Sequence, residues 1–387
     1  MSPPGRPPET TGVRSVAHLV CSFGALGGAE LLPIGVASRA GEYGRTDRLI
    51  LPAGGPAAAS VGQSGGAPVE TVRVRDPEAM STADAWRLAL GARARLRGVD
   101  VLHVHIPSPS RLGIGLIARG ALPTLVTFHL LPARWPRRDF VFFSKRLAGR
   151  AARASRRRAP LAFTVPTGHD RDRLAAEVPG VPIYLATYAP PGVGPGAPAA
   201  PLPFGEGLRL LTVGRLEPQK GYDDLLEALG APPVRHLPWS LCMVGDGSQR
   251  PGLERRARAL GLDGRVRFVG AIPSAGAFPQ TDLFLIPSRF EGMPLALLEA
   301  LHAGLPVLAS PLPAHRAVLD GVEGALLDED RAKWPAQMAA LFSDEGRRRA
   351  MGRQVLARAQ EAYTARAQDT RFHELYCLLA AEAGRRR

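Results

Sequence analysis

Short apolar runs alternate with helical patterns through the first half of the chain. The runs are typical of buried strands and lie at 13–20, 48–52, 69–74, 101–106, 124–128, 161–165 and 181–187. Helical patterns lie between them, for instance at 83–97 and 110–119. This alternation predicts an α/β fold with a doubly wound parallel sheet, in which ligands gather at the carboxyl ends of the strands.

The second half repeats this organisation after a stretch at 189–206 that is rich in proline and glycine and is a linker by composition. Strand patterns at 208–213, 239–244 and 267–270 each run into a loop. We therefore predict a disordered tail at 1–12, a first domain at 13–188, the linker at 189–206, a second domain at 207–369, and a final segment at 370–387 whose helix crosses back to the first domain.

The composition is that of an ordinary folded protein, with 387 residues of which 45% are apolar and 22% charged. Cys21, Cys242 and Cys377 stand far apart without metal-ligand spacing, which favours a reducing compartment. No apolar run is long enough to span a membrane. We expect a cytoplasmic protein, either free or peripheral at the inner face of the membrane.

Positive charge is concentrated in the first half, where residues 1–200 contain 25 basic and 13 acidic residues. The densest segment, 134–158, has ten basic residues and one acid, with an apolar strip at 140–147. Such a segment can lie on an anionic membrane surface or hold an anionic acceptor. A solvated helical face is an equally good interpretation, and we expect no nucleic-acid partner.

A candidate anion site lies at the start of a helix within 286–300, where an apolar run, a loop and a leucine-rich pattern follow one another. Pro294 near the first helical position removes only an N–H that would be unpaired anyway. The amides of Leu295, Ala296 and Leu297 are therefore expected to point outward and, with the helix dipole, to attract an anion.

Two carboxylates lie close to this helix start in the sequence, and two cations lie in an earlier loop. Glu291 falls in the loop before it and Glu299 inside the helix, which suits a ligand with both phosphate and hydroxyl groups, such as a nucleotide sugar. Arg215 and Lys220 lie five residues apart in a loop after the strand at 208–213. An arginine fork and a lysine point charge in such a loop can close on one diphosphate.

The string Glu-Gly-x-Pro-Leu-x-x-x-Glu-Ala from Glu291 to Ala300, and Gly-Arg-Leu-x-x-x-Lys-Gly from Gly214 to Gly221, resemble the donor motifs of retaining glycosyltransferases of family 4. The resemblance implies the GT-B fold, with two Rossmann-like doubly wound domains facing across a cleft. It also implies that Arg215 and Lys220 bind the diphosphate, Glu291 the sugar hydroxyls and Glu299 the ribose.

Further residues carry weaker parts of the resemblance. Gly28, in Gly-Gly-Ala-Glu, resembles the first phosphate-facing loop of the family, although a tight turn alone would also need such glycines. His129 matches the family position beside the reacting carbon, with packing as the alternative. The remaining implied positions are Met293, Pro294 and Leu295 at the diphosphate, Gly270, Ala271 and Ile272 at the base, and Glu30 and His105 on the acceptor side.

The resemblance implies sugar transfer from a UDP or GDP type of sugar to an acceptor hydroxyl with retention at the anomeric carbon. We expect no cofactor and no metal site, because no Asp-x-Asp pair stands in a suitable place and the cations can meet the leaving-group charge. A nucleotide-sugar epimerase and a non-catalytic nucleotide-sugar-binding protein are the alternatives. A glycosidase is disfavoured because it has no use for a diphosphate clamp.

Overall fold

The computed structural model describes residues 12–21, 28–53, 67–75, 82–106, 112–131, 156–157, 159–190 and 201–386. The chain divides into two compact units. The first unit contains Met1–Pro191 and Ala365–Arg387, and the second contains Gly192–Thr364. Over the described residues, no helix combines the length and the apolar character that crossing a bilayer would require.

Parallel strands form the sheet of the first unit, whose described part has seven of them in the order β3-β2-β1-β4-β5-β6-β7. The strands are β1 (Ser15–Val20), β2 (Thr46–Pro52), β3 (Val69–Val72), β4 (Val101–Ile106), β5 (Thr124–Phe128), β6 (Leu161–Val165) and β7 (Ile183–Leu185). The helices that alternate with them are α1 (Gly28–Ser38), α2 (Thr82–Ala94), α3 (Leu112–Ala118) and α4 (Gly168–Glu177). The strand pattern of the sequence is confirmed.

The two faces of this sheet differ in polarity. Successive side chains of a strand point to opposite faces, so Leu102, Val104 and Ile106 of β4 join an apolar core that α2, α3 and α4 complete. His103 and His105 of the same strand point the other way and are fully buried. Neighbouring strands extend this polar face with the buried residues His18, Asp47, Thr127 and Thr164.

The last helix of the chain belongs to the first unit and contacts β4 and β5. It spans Ala365–Gly384, so it begins five residues before the predicted start at 370. The added turn carries Gln368 and Asp369, which look like surface residues in the sequence but are buried. Asp369 accepts a hydrogen bond from Arg39, and Gln368 accepts one from the amide of Ala189. These partners explain why polar residues continue the helix.

The sheet of the second unit is also parallel, and its described strands run in the order β10-β9-β8-β11-β12. The strands are β8 (Leu208–Val213), β9 (Trp239–Val244), β10 (Val266–Gly270), β11 (Leu283–Ile286) and β12 (Val307–Ala309). The helices are α5 (Tyr222–Gly230), α6 (Pro232–Arg235), α7 (Arg250–Ala259), α8 (Leu295–His302), α9 (Pro313–Val318), α10 (Trp334–Ser343) and α11 (Glu345–Ala362), and the helix described above is α12 (Ala365–Gly384).

Candidate functional site

The predicted donor residues of the second unit follow the carboxyl ends of its parallel strands. Arg215 comes two residues after β8, Gly270 ends β10, and Glu291 lies in the loop between β11 and α8. Parallel strands place these ends at one edge of the sheet, which is where open α/β sheets bind ligands. The fold of this unit therefore gathers residues that are up to 76 positions apart in the sequence.

Lys220 and Glu291 form an ion pair at this edge. The Lys220 ammonium lies 2.6 Å from Oε1 of Glu291, and Ser288 donates a second hydrogen bond of 2.7 Å to the same oxygen. The side chains are only 18% and 8% exposed. Burial alone would raise the pKa of Glu291, but the Lys220 charge and hydrogen bond outweigh it and hold the pKa below its ordinary value. Glu291 is therefore a carboxylate at neutral pH.

Close backbone packing joins the loop of Lys220 to the loop of Glu291. The amide of Arg289 donates to the carbonyl of Gln219 over 2.8 Å. Gly221 has a φ of +64°, and a Cβ placed on it would lie 2.3 Å from the carbonyl oxygen of Pro287. Only glycine satisfies both demands, which explains the glycine that follows the lysine in the sequence motif.

Arg215 differs from Lys220 in its surroundings. Its side chain is exposed, and it makes no hydrogen bond or ion pair with any residue that the structure describes. A guanidinium in this state can bind an anion without first breaking an internal bond. The Lys220 ammonium must instead share its charge with Glu291 or leave it.

The start of α8 corrects one expectation. The helix begins at Leu295, with Pro294 as the residue before it. The amide of Leu297 was expected to be free, but it donates to the carbonyl of Pro294 over 3.0 Å because the first turn is tight. Among the described residues, no acceptor is found for the amides of Leu295 and Ala296, so the predicted anion site keeps two donors rather than three.

Glu299 is linked to the loop that follows β10. Ser274 donates to Oε2 of Glu299 over 2.9 Å, and Ser274 lies two residues after the segment 270–272. Burial raises the pKa of Glu299, and the Ser274 hydrogen bond opposes this only in part. The predicted ribose residue and the predicted base-side loop are thus neighbours.

Ser274, Ser288 and His315 were missed in the sequence. His315, on α9, is fully buried. Its Nδ1 donates a hydrogen bond to the carbonyl of Ser310 over 2.8 Å, whereas its Nε2 has no hydrogen-bond partner among the described residues. Burial lowers the pKa of His315, and the charge of Glu291 opposes this only in part. Serines near the ends of strands are too common for Ser274 and Ser288 to be singled out from the sequence, and His315 lies outside both motifs.

His129 and His105 lie together in the first unit. Nε2 of His129 is 3.4 Å from Nδ1 of His105, and Nδ1 of His129 is 3.2 Å from the Tyr188 hydroxyl. His129 is 7% exposed and His105 fully buried. Burial lowers the pKa of His129 to about 3 and that of His105 well below its ordinary value. Both rings are therefore neutral at physiological pH.

These shifted values predict a pH dependence of stability. The folded pKa of His129 lies below 6.5, so acid protonates the unfolded chain preferentially, and stability that is complete above pH 6.5 is lost as the pH falls towards 3. Native-state hydrogen exchange in β4 and β5, corrected for intrinsic rates, should report a lower free energy of unfolding at pH 4.5 than at pH 7. His129→Gln should make this dependence shallower, and an equal slope in both proteins would contradict the assignment.

Several predicted residues are described only in part. Gly28 begins α1, but the side chain of Glu30 and the loop before Gly28 lie outside the described residues. The basic segment at 134–158 also lies outside them, apart from Arg156 and Arg157. Arg156 donates to the carbonyl of Gly180 over 3.2 Å. The membrane and acceptor interpretations of this segment stay predictions.

Comparison with known proteins finds a family similarity within the second unit. Residues 207–344 match the family model described as Glycosyl transferases group 1. A D-inositol 3-phosphate glycosyltransferase of Nocardia farcinica is 32% identical over 212 residues, which cover 50% of this chain and 45% of that protein. An uncharacterized glycosyltransferase of Haemophilus influenzae is 31% identical over 105 residues, 27% of this chain and 30% of that protein. The chain thus spans less than half the length of these curated relatives.

Solved structures resemble most of the chain. The Anabaena protein Alr3699/HepE in complex with UDP and glucose has a TM-score of 0.72 at 19% identity, covering 93% of this chain and 98% of its own. A sucrose-phosphate synthase from Thermosynechococcus elongatus has a TM-score of 0.76 at 17% identity, covering 95% and 99%. The fold, with two Rossmann-like parallel-sheet domains, is that of GT-B glycosyltransferases, and the predicted fold class is confirmed.

Proposed function

We propose that the chain is a retaining glycosyltransferase that moves a sugar from a nucleoside diphosphate sugar to an acceptor hydroxyl. The observation that carries the proposal is the arrangement around Lys220 and Glu291, with their 2.6 Å ion pair held between two loops at the ligand edge of the second sheet. The match of 207–344 to a glycosyltransferase family model supports the reaction class.

The diphosphate would lie at the positive end of this site. Lys220 offers a positive charge, and Arg215 offers a guanidinium that has no partner among the described residues. The amides of Leu295 and Ala296 add two hydrogen-bond donors that have no acceptor among those residues. The helix backbone fixes the two amides before the reaction, and together with the two cations they would stabilise the charge that develops on the departing phosphate. The chain's own cations can carry out this role, so we propose transfer that does not depend on a metal ion.

The two ends of the donor would reach the two carboxyl groups. Glu291, ionised and partly accessible, can accept hydrogen bonds from sugar hydroxyls. Glu299, beside Ser274, can hold the ribose while the segment from Gly270 to Ile272 contacts the base. Structural neighbours in complex with UDP and with UDP-glucose support a UDP type of donor over a GDP type.

The acceptor belongs to the first unit in this proposal. His129 would contact the donor sugar, and no protein nucleophile is required because the departing phosphate can take the proton of the acceptor hydroxyl. Relatives named for D-inositol 3-phosphate make a small phosphorylated acceptor one candidate class. Saccharide or lipid-linked acceptors are the other classes, and the basic segment at 134–158 would suit an anionic one.

A thermal-shift panel tests the proposal. UDP and UDP-sugars are expected to raise the melting temperature by several degrees at 100-fold excess over the dissociation constant, whereas uridine, which lacks the diphosphate, should have little effect. Equal curves with every nucleotide would overturn the proposal. Incubation of the best nucleotide sugar without acceptor separates the alternatives, because an epimerase would produce a new nucleotide sugar and a transferase would release UDP only slowly.

A further inference from the structure

A line of buried polar side chains crosses the first sheet from β2 to the end of β5. We call Asp47, His18, His105 and His129 the histidine relay. His18 Nε2 lies 3.1 Å from Oδ2 of Asp47, and His18 Nδ1 lies 3.1 Å from Nε2 of His105. His105 Nδ1 lies 3.4 Å from Nε2 of His129. Three hydrogen bonds therefore connect Asp47 to His129.

Asp47 determines the direction of the first bond. Arg45 donates to both of its carboxylate oxygens, over 3.3 and 3.1 Å. Burial alone would raise the pKa of Asp47, but its partners His18 and Arg45 together outweigh burial and lower the pKa. An ionised carboxylate only accepts hydrogen bonds. Because Arg45 already balances this charge, a neutral His18 leaves the buried group without net charge, and its Nε2–H donates to Asp47.

The direction of the first hydrogen bond determines the donor and the acceptor in each of the next two. A neutral imidazole has one donor and one acceptor nitrogen, so the Nδ1 of His18 must accept. It accepts from the Nε2–H of His105, whose own Nδ1 therefore accepts from the Nε2–H of His129. The relay leaves one arrangement of protons, in which all three histidines carry the proton on Nε2.

The far end of the relay agrees with the direction imposed by Asp47. With its proton on Nε2, His129 presents an acceptor at Nδ1, and Tyr188 lies 3.2 Å from that atom. Burial raises the pKa of Tyr188, so its hydroxyl stays protonated and can donate to that atom. The tyrosine beyond β7 is thus compatible with the tautomer that the carboxylate on β2 imposes, and Asp47 alone determines the direction.

We propose that Asp47 sets the tautomer and ring orientation of His129 through His18 and His105. Asp47, His18 and His105 are then positioning residues, and His129 alone would reach the reacting groups. The part of His129 in sugar transfer rests on the proposed function. The relay itself does not, because its proton positions can be observed directly.

A metal site is the competing interpretation of the same side chains. Nitrogens of His18, His103 and His105 lie within 4.8 Å of one another. However, all six ring nitrogens already have hydrogen-bond partners, because His103 contacts Tyr376 and Thr127 over 2.7 Å each. An ion would have to displace several of these bonds, so the geometry favours the relay.

Long-range ¹H–¹⁵N NMR of the full chain labelled with ¹⁵N-histidine tests the relay, since it distinguishes the two neutral tautomers. The chain has nine histidines, and the His129 signal is assigned by its loss in His129→Gln. At pH 7 the wild-type His129 is expected to be neutral with its proton on Nε2. A proton on Nδ1, or stoichiometric zinc in the purified protein that is lost in His103→Gln, would overturn the proposal.

The Asp47→Asn variant tests the long-range effect. A neutral amide can turn either its oxygen or its nitrogen towards His18, so the direction is no longer fixed and His129 should become a mixture of tautomers. His103→Gln, which removes a neighbouring ring outside the relay, should leave His129 with the proton on Nε2. An unchanged single tautomer in Asp47→Asn would overturn the proposal. A mixture of tautomers with undiminished sugar transfer would support the relay and count against a catalytic His129.

Discussion

The Lys220→Ala variant is expected to bind UDP about 10- to 100-fold more weakly than the wild-type chain, because it loses a charge-assisted hydrogen bond to the diphosphate. The same change leaves Glu291 without its cation at a site only 8% exposed. The remaining carboxylate would repel the diphosphate, and its pKa would rise. Isothermal titration with UDP at fixed ionic strength measures the effect.

Lys220→Arg is the matched control for this variant. It keeps the positive charge beside Glu291 but changes its shape, so UDP should bind more tightly than to Lys220→Ala and less tightly than to the wild type. Uridine binding, which involves no phosphate, should be similar in all three proteins. Wild-type affinity for UDP in Lys220→Ala would remove this lysine from the diphosphate site.

The Glu291→Gln variant should lose sugar transfer, by roughly 100-fold, while its affinity for UDP is unchanged or higher. The amide cannot accept hydrogen bonds from sugar hydroxyls as strongly as the carboxylate does. It also releases Lys220 from the 2.6 Å ion pair, which makes the ammonium fully available to the diphosphate. Release of UDP from the best nucleotide sugar, with titration of UDP in parallel, separates these two effects.

Glu299→Gln is the control in this case, because it changes a carboxyl group that has no cation beside it in the described part of the chain and would touch the ribose. UDP binding should weaken in Glu299→Gln, in contrast to Glu291→Gln. If Glu291→Gln weakened UDP binding and slowed transfer to the same extent, Glu291 would act on the nucleotide rather than on the sugar.

Much of the candidate site in the second unit could be predicted because it follows short local patterns. Each pattern is a strand followed by a loop with glycine, so Arg215, Lys220 and Glu291 could be singled out from the sequence as candidates. The contact between Lys220 and Glu291 was not predicted, since it depends on the close approach of two loops 71 residues apart. The hydrogen bond of the Leu297 amide was also missed, because the pattern of apolar and polar residues does not show whether the first turn of a helix is tight.

The polar face of the first sheet could not be predicted for a different reason. His18 stands inside an apolar run and looks like an exception within a core strand. Its partners Asp47 and His105 are 29 and 87 residues away. Strand order brings β2, β1 and β4 together, and that order depends on packing across the whole sheet rather than on any local motif.

A crystal structure of the chain with bound UDP tests the central claim most directly. The account predicts the diphosphate within hydrogen-bond distance of Lys220 and Arg215 and of the amides of Leu295 and Ala296, with the ribose at Glu299. A diphosphate bound away from these groups, with Lys220 still paired to Glu291 and Arg215 in solvent, would contradict it.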